Sequence, residues 1–305
     1  MSKELETVHS LKTSDDRVLT YTVTGDPHGM PVFLLHGTPG SRRGPKPRSS
    51  VLYRQGVRLI CYDRPGYGGS TRHQNRQVAD AAADVKTVAD ELQIKRFAVV
   101  GRSGGAPHAL ACAALLPDEV MRTVALVSVA PANAPGLDWY EGMAPDNVEE
   151  YSAIDADTAR LTERLRARAH RTSQDPEALI EILLSQMTGP DLHVVRDYAI
   201  RRLLASTYAE GLREGPFGWV DDVLALRSDW GFQVEEIKGP VLLWHGAEDN
   251  FSPVSHTRWL AAKIPDAELE IQTDTAHFGA VEILPRMLGW LTAWHSEMSA
   301  AGSAY

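Results

Sequence analysis

Cysteine is almost absent: the 305 residues hold two, Cys61 and Cys112, and neither stands in a C-x-x-C or C-x-x-C-H setting. That leaves no disulfide framework, dithiol redox motif or c-type haem attachment. Both thiols fall in apolar stretches, one strand-like and one helical, where a small buried hydrophobe is expected. Long apolar runs are missing as well, since no window approaches the about eighteen residues of a membrane span. The opening MSKELETVHSLKTSDDR is polar and has no secretory core, so the expected location is cytoplasmic. There is no H-E-x-x-H and no histidine pair at ligand spacing, so no metal is expected. No G-x-G-x-x-G joins a strand to a helix with an acidic residue downstream, which removes a dinucleotide site, and no cofactor is expected. Net positive charge is also lacking, with 31 Lys and Arg against 40 Asp and Glu, a formal charge of -9. The basic residues form short clusters, which gives nucleic acid little to bind. The partner this leaves is a small-molecule substrate, with a homodimer compatible with the same facts.

What the chain does have is core-forming material in an alternating order. Hydrophobic residues make up 43% and charged residues 23%, ordinary values for a folded domain. The runs VLTYTV (18–23), PVFLLH (31–36), VRLICYD (57–63), FAVVG (97–101) and TVALVSV (123–129) read as strands, the later ones apolar throughout as in a sheet covered on both faces. Between them, residues 78–94 place Val78, Ala82, Val85, Val88, Ala89 and Leu92 at helical spacing, and 106–116 is an apolar helix. Strands alternating with helices predict right-handed βαβ units and a mostly parallel sheet. From 132 to 235 the strands cease and amphipathic helical stretches replace them. The β-α pattern resumes with PVLLWHG (240–246), a helix at 254–264, AELEIQT (267–273) and a closing helix, before an end, 299–305, that reads as frayed. The expected organisation is therefore a core of 1–131 and 236–305, interrupted by a helical lid at 132–235.

The chemistry-bearing residues fall where such a sheet ends its strands. Gly101-Arg102-Ser103-Gly104-Gly105 is a G-x-S-x-G turn between a strand and a helix, a strained turn that lifts the serine hydroxyl above the sheet and needs small neighbours. The N–H of Gly104, at the helix start, is positioned for a developing oxyanion. His36-Gly37-Thr38-Pro39-Gly40 follows the strand PVFLLH and offers the Thr38 N–H as a second donor, with His36 read as structural. Asp249, after PVLLWHG, is the expected acid, with Glu248 as its rival. His277, after AELEIQT, is the expected base among eleven histidines, because Ser103, Asp249 and His277 follow the chain order that this topology imposes. Trp139, Tyr140, Met143, Phe217 and Trp219 are available to shape an apolar pocket. The clusters Arg42, Arg43, Lys46, Arg48 and Arg160, Arg164, Arg166, Arg168, Arg171 read as solvated faces.

On these motifs, together with Asp63-Arg64-Pro65-Gly66-Tyr67-Gly68-Gly69-Ser70, which matches a D-x-x-G-x-G-x-S turn, the chain resembles the α/β-hydrolase superfamily over residues 18–298. The resemblance implies an α/β-hydrolase fold and acyl transfer by a Ser-His-Asp triad, while Asp63 and the glycines are read as turn-formers. Dehalogenases and epoxide hydrolases of that fold carry Asp where Ser103 stands. Proline iminopeptidases are similar but have H-G-G-P-G where Thr38 stands and Trp where Gly104 stands. The expected activity is cleavage of a carboxylic ester of a small or medium apolar substrate. Aminopeptidase or lactonase action, or ligand binding without turnover as a receptor, stay open.

Overall fold

Nearly continuous apolar runs such as FAVVGR and VLLWHG can be satisfied only inside a sheet covered on both faces. In the computed structural model, which describes residues 7–302, every residue of those two strands is buried. They belong to a sheet of β1 (Val8–Lys12), β2 (Val18–Gly25), β3 (Met30–Leu35), β4 (Val57–Tyr62), β5 (Phe97–Arg102), β6 (Val120–Leu126), β7 (Val241–Gly246) and β8 (Ala267–Gln272). Their spatial order is β1-β2-β4-β3-β5-β6-β7-β8. β2 pairs antiparallel with β1 and β4, and every pairing from β4 to β8 is parallel. The order reverses between β3 and β5, and in open α/β sheets ligands bind outside the carboxyl ends of the strands at such a reversal.

One face of the sheet packs on α2 (Asp80–Glu91), α3 (Gly105–Leu115) and α10 (Val254–Lys263), the other on α1 (Ser49–Arg54) and α11 (Gly279–Gly302). α2 turns Ala81, Ala82, Val85, Val88 and Ala89 inward, the spacing of a single helical stripe. α3 is buried from Gly105 to Ala113. It lies so close that a Cβ on Gly105 would meet the backbone of Leu35 at 2.8 Å, and one on Gly101 the Cα of Ala106 at 2.6 Å.

Between β6 and β7 come α4 (Pro145–Ala156), α5 (Thr158–Gln174), α6 (Ala178–Leu184), α7 (Gly189–Val195), α8 (Tyr198–Gly211) and α9 (Phe217–Arg227). Asp157 caps α5 and Asp197 caps α8, each carboxylate accepting two backbone N–H groups. α5 turns Leu161, Leu165, Ala169 and Thr172 inward.

Two elements go beyond the sequence reading. β1 is a short, mostly exposed edge strand, and α1 is six residues with one buried side chain, Leu52; neither leaves a periodic apolar signal. The end expected to fray continues in α11 as far as Gly302, and 303–305 lie outside the described residues.

Candidate active site

Ser103 sits between β5 and α3 with φ of 54°, the left-handed region a non-glycine residue adopts only when its surroundings impose it. Its N–H donates to Leu126 O at 2.9 Å, which fixes the turn against β6. His277 and Asp249 come from the loops after β8 and β7 and meet: His277 Nδ1 lies 2.8 Å from Asp249 Oδ2. Among the described residues Ser103 Oγ makes no side-chain hydrogen bond, while Nδ1 of His277 is committed to Asp249. That leaves Nε2 as the ring nitrogen able to serve Ser103. Ser103 and His277 line one cavity with Gly37, Thr38 and Pro39.

Asp249 is buried, whereas its rival Glu248 is exposed. Oδ1 of Asp249 accepts the N–H groups of Phe251 at 2.8 Å and Ser252 at 2.9 Å. Oδ2 accepts from His277 and also lies 3.2 Å from Nε2 of His245. Burial alone would raise the carboxyl, but the neighbouring His277 charge and these hydrogen bonds hold it well below the usual carboxylate range. His245 is the partner the sequence did not announce. It lies inside β7, fully buried, with Nδ1 2.7 Å from Thr257 Oγ1 and Nε2 2.6 Å from Ser252 O, so it braces the loop that carries the acid.

The loop after β3 is fixed from below. Nδ1 of neutral His36 donates to Gly37 O at 2.8 Å, and its Nε2 accepts the Arg64 N–H at 3.2 Å. Burial, and then the Arg64 charge, push the ring well below the ordinary histidine range, which suits the structural part expected of His36. Arg64 donates to the carbonyls of His36 and Gly37 and to Thr38 Oγ1. A trans peptide points its N–H opposite its C=O, so tying down Gly37 O aims the Thr38 N–H away from Arg64. Gly104 stands at the start of α3 against Thr38, where a Cβ on Gly104 would meet Thr38 Cβ at 2.7 Å. The two expected oxyanion donors are thus neighbours, and the space a larger residue 104 would need is taken by Thr38.

The matching family model, alpha/beta hydrolase fold, covers residues 30–282. This chain belongs to that family. Among similar proteins is a proline iminopeptidase of Arabidopsis thaliana, 31% identical over 54% of this chain and 45% of that protein. The chain thus spans about half the length of that relative, and likewise 48% of a Xylella fastidiosa proline iminopeptidase. A 2-hydroxymuconate semialdehyde hydrolase of Pseudomonas putida is 26% identical over 90% of each chain. Among solved structures, an enol-lactonase from Burkholderia xenovorans superposes with a TM-score of 0.68 at 18% identity, covering 94% of this chain and 100% of that one. At such identity the likeness establishes the fold.

In this α/β-hydrolase chain the cavity is narrow, about 60 Å³, well short of the roughly 300–1,000 Å³ of small-molecule sites, so seating a substrate requires its walls to part. The helices between β6 and β7 supply one side of it: Asp146, Glu150 and Tyr151 from α4, Arg168 from α5, Leu179 and Leu183 from α6, Tyr208 from α8 and Trp219 from α9. Of the five residues expected to shape the pocket, only Trp219 lines it. Trp139 donates to Ala130 O at 2.9 Å and packs its ring on Tyr140, Tyr151 and His256. Met143 is buried in the main hydrophobic core, and Phe217 carries the Arg72 guanidinium 4.2 Å above its ring.

The basic clusters also differ from solvated faces. Arg42 is buried against Asp63 and Glu210, so Asp63 is an ion-pair partner as well as a turn residue. Arg164 and Arg168 on α5 each lie 2.5 Å from Asp146 on α4, while Arg160, Arg166 and Arg171 remain exposed. On α9, Asp222 is buried between Arg64 and Arg76, 2.5 Å and 2.6 Å away. It also accepts from Tyr67 at 2.8 Å and from Thr38 Oγ1 at 2.5 Å. On α7, Asp191 Oδ1 accepts the N–H of Phe278 at 2.7 Å, next to His277.

Glu150 makes the cavity pH-sensitive. Burial pushes its carboxyl from the ordinary 4.5 up to about 7, against the pull of Arg168 at 3.5 Å and of the Trp219 N–H at 2.6 Å. Arg168 does not win because it is committed to Asp146. The folded protein therefore holds a proton on Glu150 that the unfolded chain has released. Stability from this group is present below about pH 4.5 and is lost as pH rises toward 7, by roughly 3 kcal/mol in all. Glu150→Gln is expected to reduce the loss of stability between pH 5 and pH 8, read by urea unfolding; the same loss in both proteins would refute it.

Proposed function

We propose that this protein hydrolyses a carboxylic ester of a small substrate through an acyl-enzyme on Ser103. The observation that carries the reading is the His277–Asp249 pair at 2.8 Å in the cavity that Ser103 and Thr38 also line. Ser103 Oγ bonds to the substrate carbonyl carbon as its proton passes to His277 Nε2. The carbonyl oxygen becomes an oxyanion that accepts the N–H groups of Thr38 and Gly104. The bond to the leaving oxygen then breaks, and the alcohol departs with the proton from His277. Water gives a proton to His277 and its oxygen to the acyl carbon; Ser103 Oγ leaves, recovers the proton, and the acid is released. Asp249 holds the imidazole and steadies it while it is charged.

The charged groups lining the cavity favour a substrate with a polar end over a wholly apolar one. A second reading, release of an N-terminal residue from an amide, is supported by the relatives named proline iminopeptidase, while the contact between Thr38 and Gly104 counts against it. Cytoplasmic hydrolysis of a metabolite-sized ester fits the sequence reading.

The test is labelling by a fluorophosphonate, located by peptide mass spectrometry, alongside turnover of p-nitrophenyl esters, lactones and proline p-nitroanilide. Label on Ser103 with ester turnover is the expected outcome. Turnover of the anilide alone would move the reading to the peptidase, and label without turnover of any of them would favour a receptor.

A further inference from the structure

Resting on that reading, we infer that Arg102 and Tyr208 form an anion subsite beside the nucleophile, and that the substrate carries a carboxylate a few bonds from its scissile carbonyl. Arg102 is the middle residue between Gly101 and Ser103, and its side chain is 6% exposed. Its Nη2 lies against Gly37, where a Cβ would approach it to 3.3 Å while lying 3.5 Å from Ser103 Cβ. The guanidinium therefore borders both the oxyanion loop and the nucleophile, and it lines the cavity.

Its lack of a counter-charge is what points to a ligand. Among the described residues no carboxylate forms an ion pair with Arg102; its side-chain partner is the phenol of Tyr208, on α8. The other arginines nearby are matched: buried Arg64 and Arg76 by Asp222, and half-buried Arg168 by Asp146. Burial lowers the affinity of Arg102 for its proton, and the opposing pull of Tyr208, and then of Asp191, does not make up for it, the mark of a cation short of compensation. The nearby carboxyls do not pair with it: Asp146 is held by two arginines, Glu150 keeps its proton up to about 7, and Asp191 acts on it through space without an ion pair, its Oδ1 accepting from Phe278 N–H.

The chemistry of the pair selects the ligand. A guanidinium offers a planar fork of N–H donors that matches a carboxylate. Tyr208, set beside Arg102, has its own O–H to donate, and burial keeps that proton in place. Two kinds of donor thus converge where a substrate seated on Ser103 would extend. Charge-assisted hydrogen bonds of this sort discriminate by about 10- to 100-fold.

The experiment compares shape-matched esters differing in the anion, on either side of the bond. On the acyl side the pair is p-nitrophenyl hemisuccinate and p-nitrophenyl 4-methylpentanoate; on the alcohol side, m-carboxyphenyl acetate and m-isopropylphenyl acetate. In at least one pair the wild type is expected to favour the anionic member in kcat/KM. In that pair the anionic-to-neutral ratio should fall at least about 10-fold in Arg102→Gln and recover in part in Arg102→Lys, which restores charge without the fork. Succinate should bind the wild type, by calorimetry, more tightly than Arg102→Gln. A neutral preference in both pairs, or an unchanged ratio in Arg102→Gln, overturns the subsite.

Melting temperature separates binding from scaffolding. A cation kept for a ligand costs stability, so Arg102→Gln should melt no lower than the wild type. A fall of several degrees would make Arg102 structural and overturn the proposal. Failure of the hydrolase reading shows differently: Ser103 escapes the fluorophosphonate and no ester turns over, while Arg102-dependent succinate binding still stands or falls by itself.

Discussion

Ser103→Ala is expected to lower kcat for a p-nitrophenyl ester by roughly a million-fold, and Asp249→Asn by roughly 10,000-fold. The two differ because they remove different things. Without the Ser103 hydroxyl no acyl-enzyme can form, and what rate survives comes from binding and the oxyanion donors. With asparagine at 249 the geometry can persist, but the group facing Nδ1 of His277 loses the negative charge that steadies the imidazolium, and the amide can present a donor that selects the wrong tautomer. Oδ2 of Asp249 meets both His277 and His245, at 2.8 Å and 3.2 Å, so one substitution upsets two rings. The double variant should be no slower than Ser103→Ala, because groups acting as one unit do not add. Steady-state and burst kinetics decide it; a double variant a thousand-fold slower would mean that Asp249 acts through some other route.

Asp222→Ala carries the largest expected cost in stability. The carboxylate stands between Arg64 and Arg76, whose side chains are 1% and 2% exposed, and its removal strands both cations in the core. Breaking a buried pair from one side typically costs about 3–5 kcal/mol, a large part of a total near 5–15, and a fall of roughly 10 °C in melting temperature follows. Burial acts to raise the Asp222 carboxyl, but Arg64 and Arg76, with His108, hold it well below the usual range. Its contribution to stability is therefore present at neutral pH and lost only in strong acid. Activity should fall along with stability, because Asp222 and Arg64 both hold Thr38 Oγ1. Calorimetry with ester kinetics below the melting range reads both; an unchanged melting temperature would show that the cluster relaxes into solvent.

The sheet and the gathering of Ser103, Asp249 and His277 at one edge of it were legible because their signals are local. Apolar runs mark the covered strands, glycines mark the turn at Ser103, and the order serine, aspartate, histidine follows from which strands end at one edge. The Asp222 cluster was not legible, since Arg64 and Asp222 are 158 residues apart and nothing in either segment names its partner. Arg42, Arg164 and Arg168 misled for the same reason: a charge run reads as wet until its carboxylates are found. The pocket residues were mostly missed because much of the wall is polar: Asp146 and Glu150 on α4 and Arg168 on α5 read as solvent-facing until the elements packed against them are known. In Trp139 and Phe217 the aromatic character was correctly noticed but serves packing.

The attachment of α9 constrains how the lid can move. Arg72 grips Asp221 with two bonds of 2.8 Å, Gly218 N–H donates to Gly66 O at 3.2 Å, and Asp222 lies among core arginines. A Cβ on Gly66 would come within 2.8 Å of Gly218 N, so the two backbones are in direct contact. In mechanical terms α9 is masonry of the base and not part of the door. Glu210 on α8 is likewise paired with the buried Arg42, so any opening that leaves the buried ion pairs intact must swing α4 to α6 against a stationary α8 and α9. Trp219 then keeps its place beside the cavity throughout, a fixed wall against which the moving helices close.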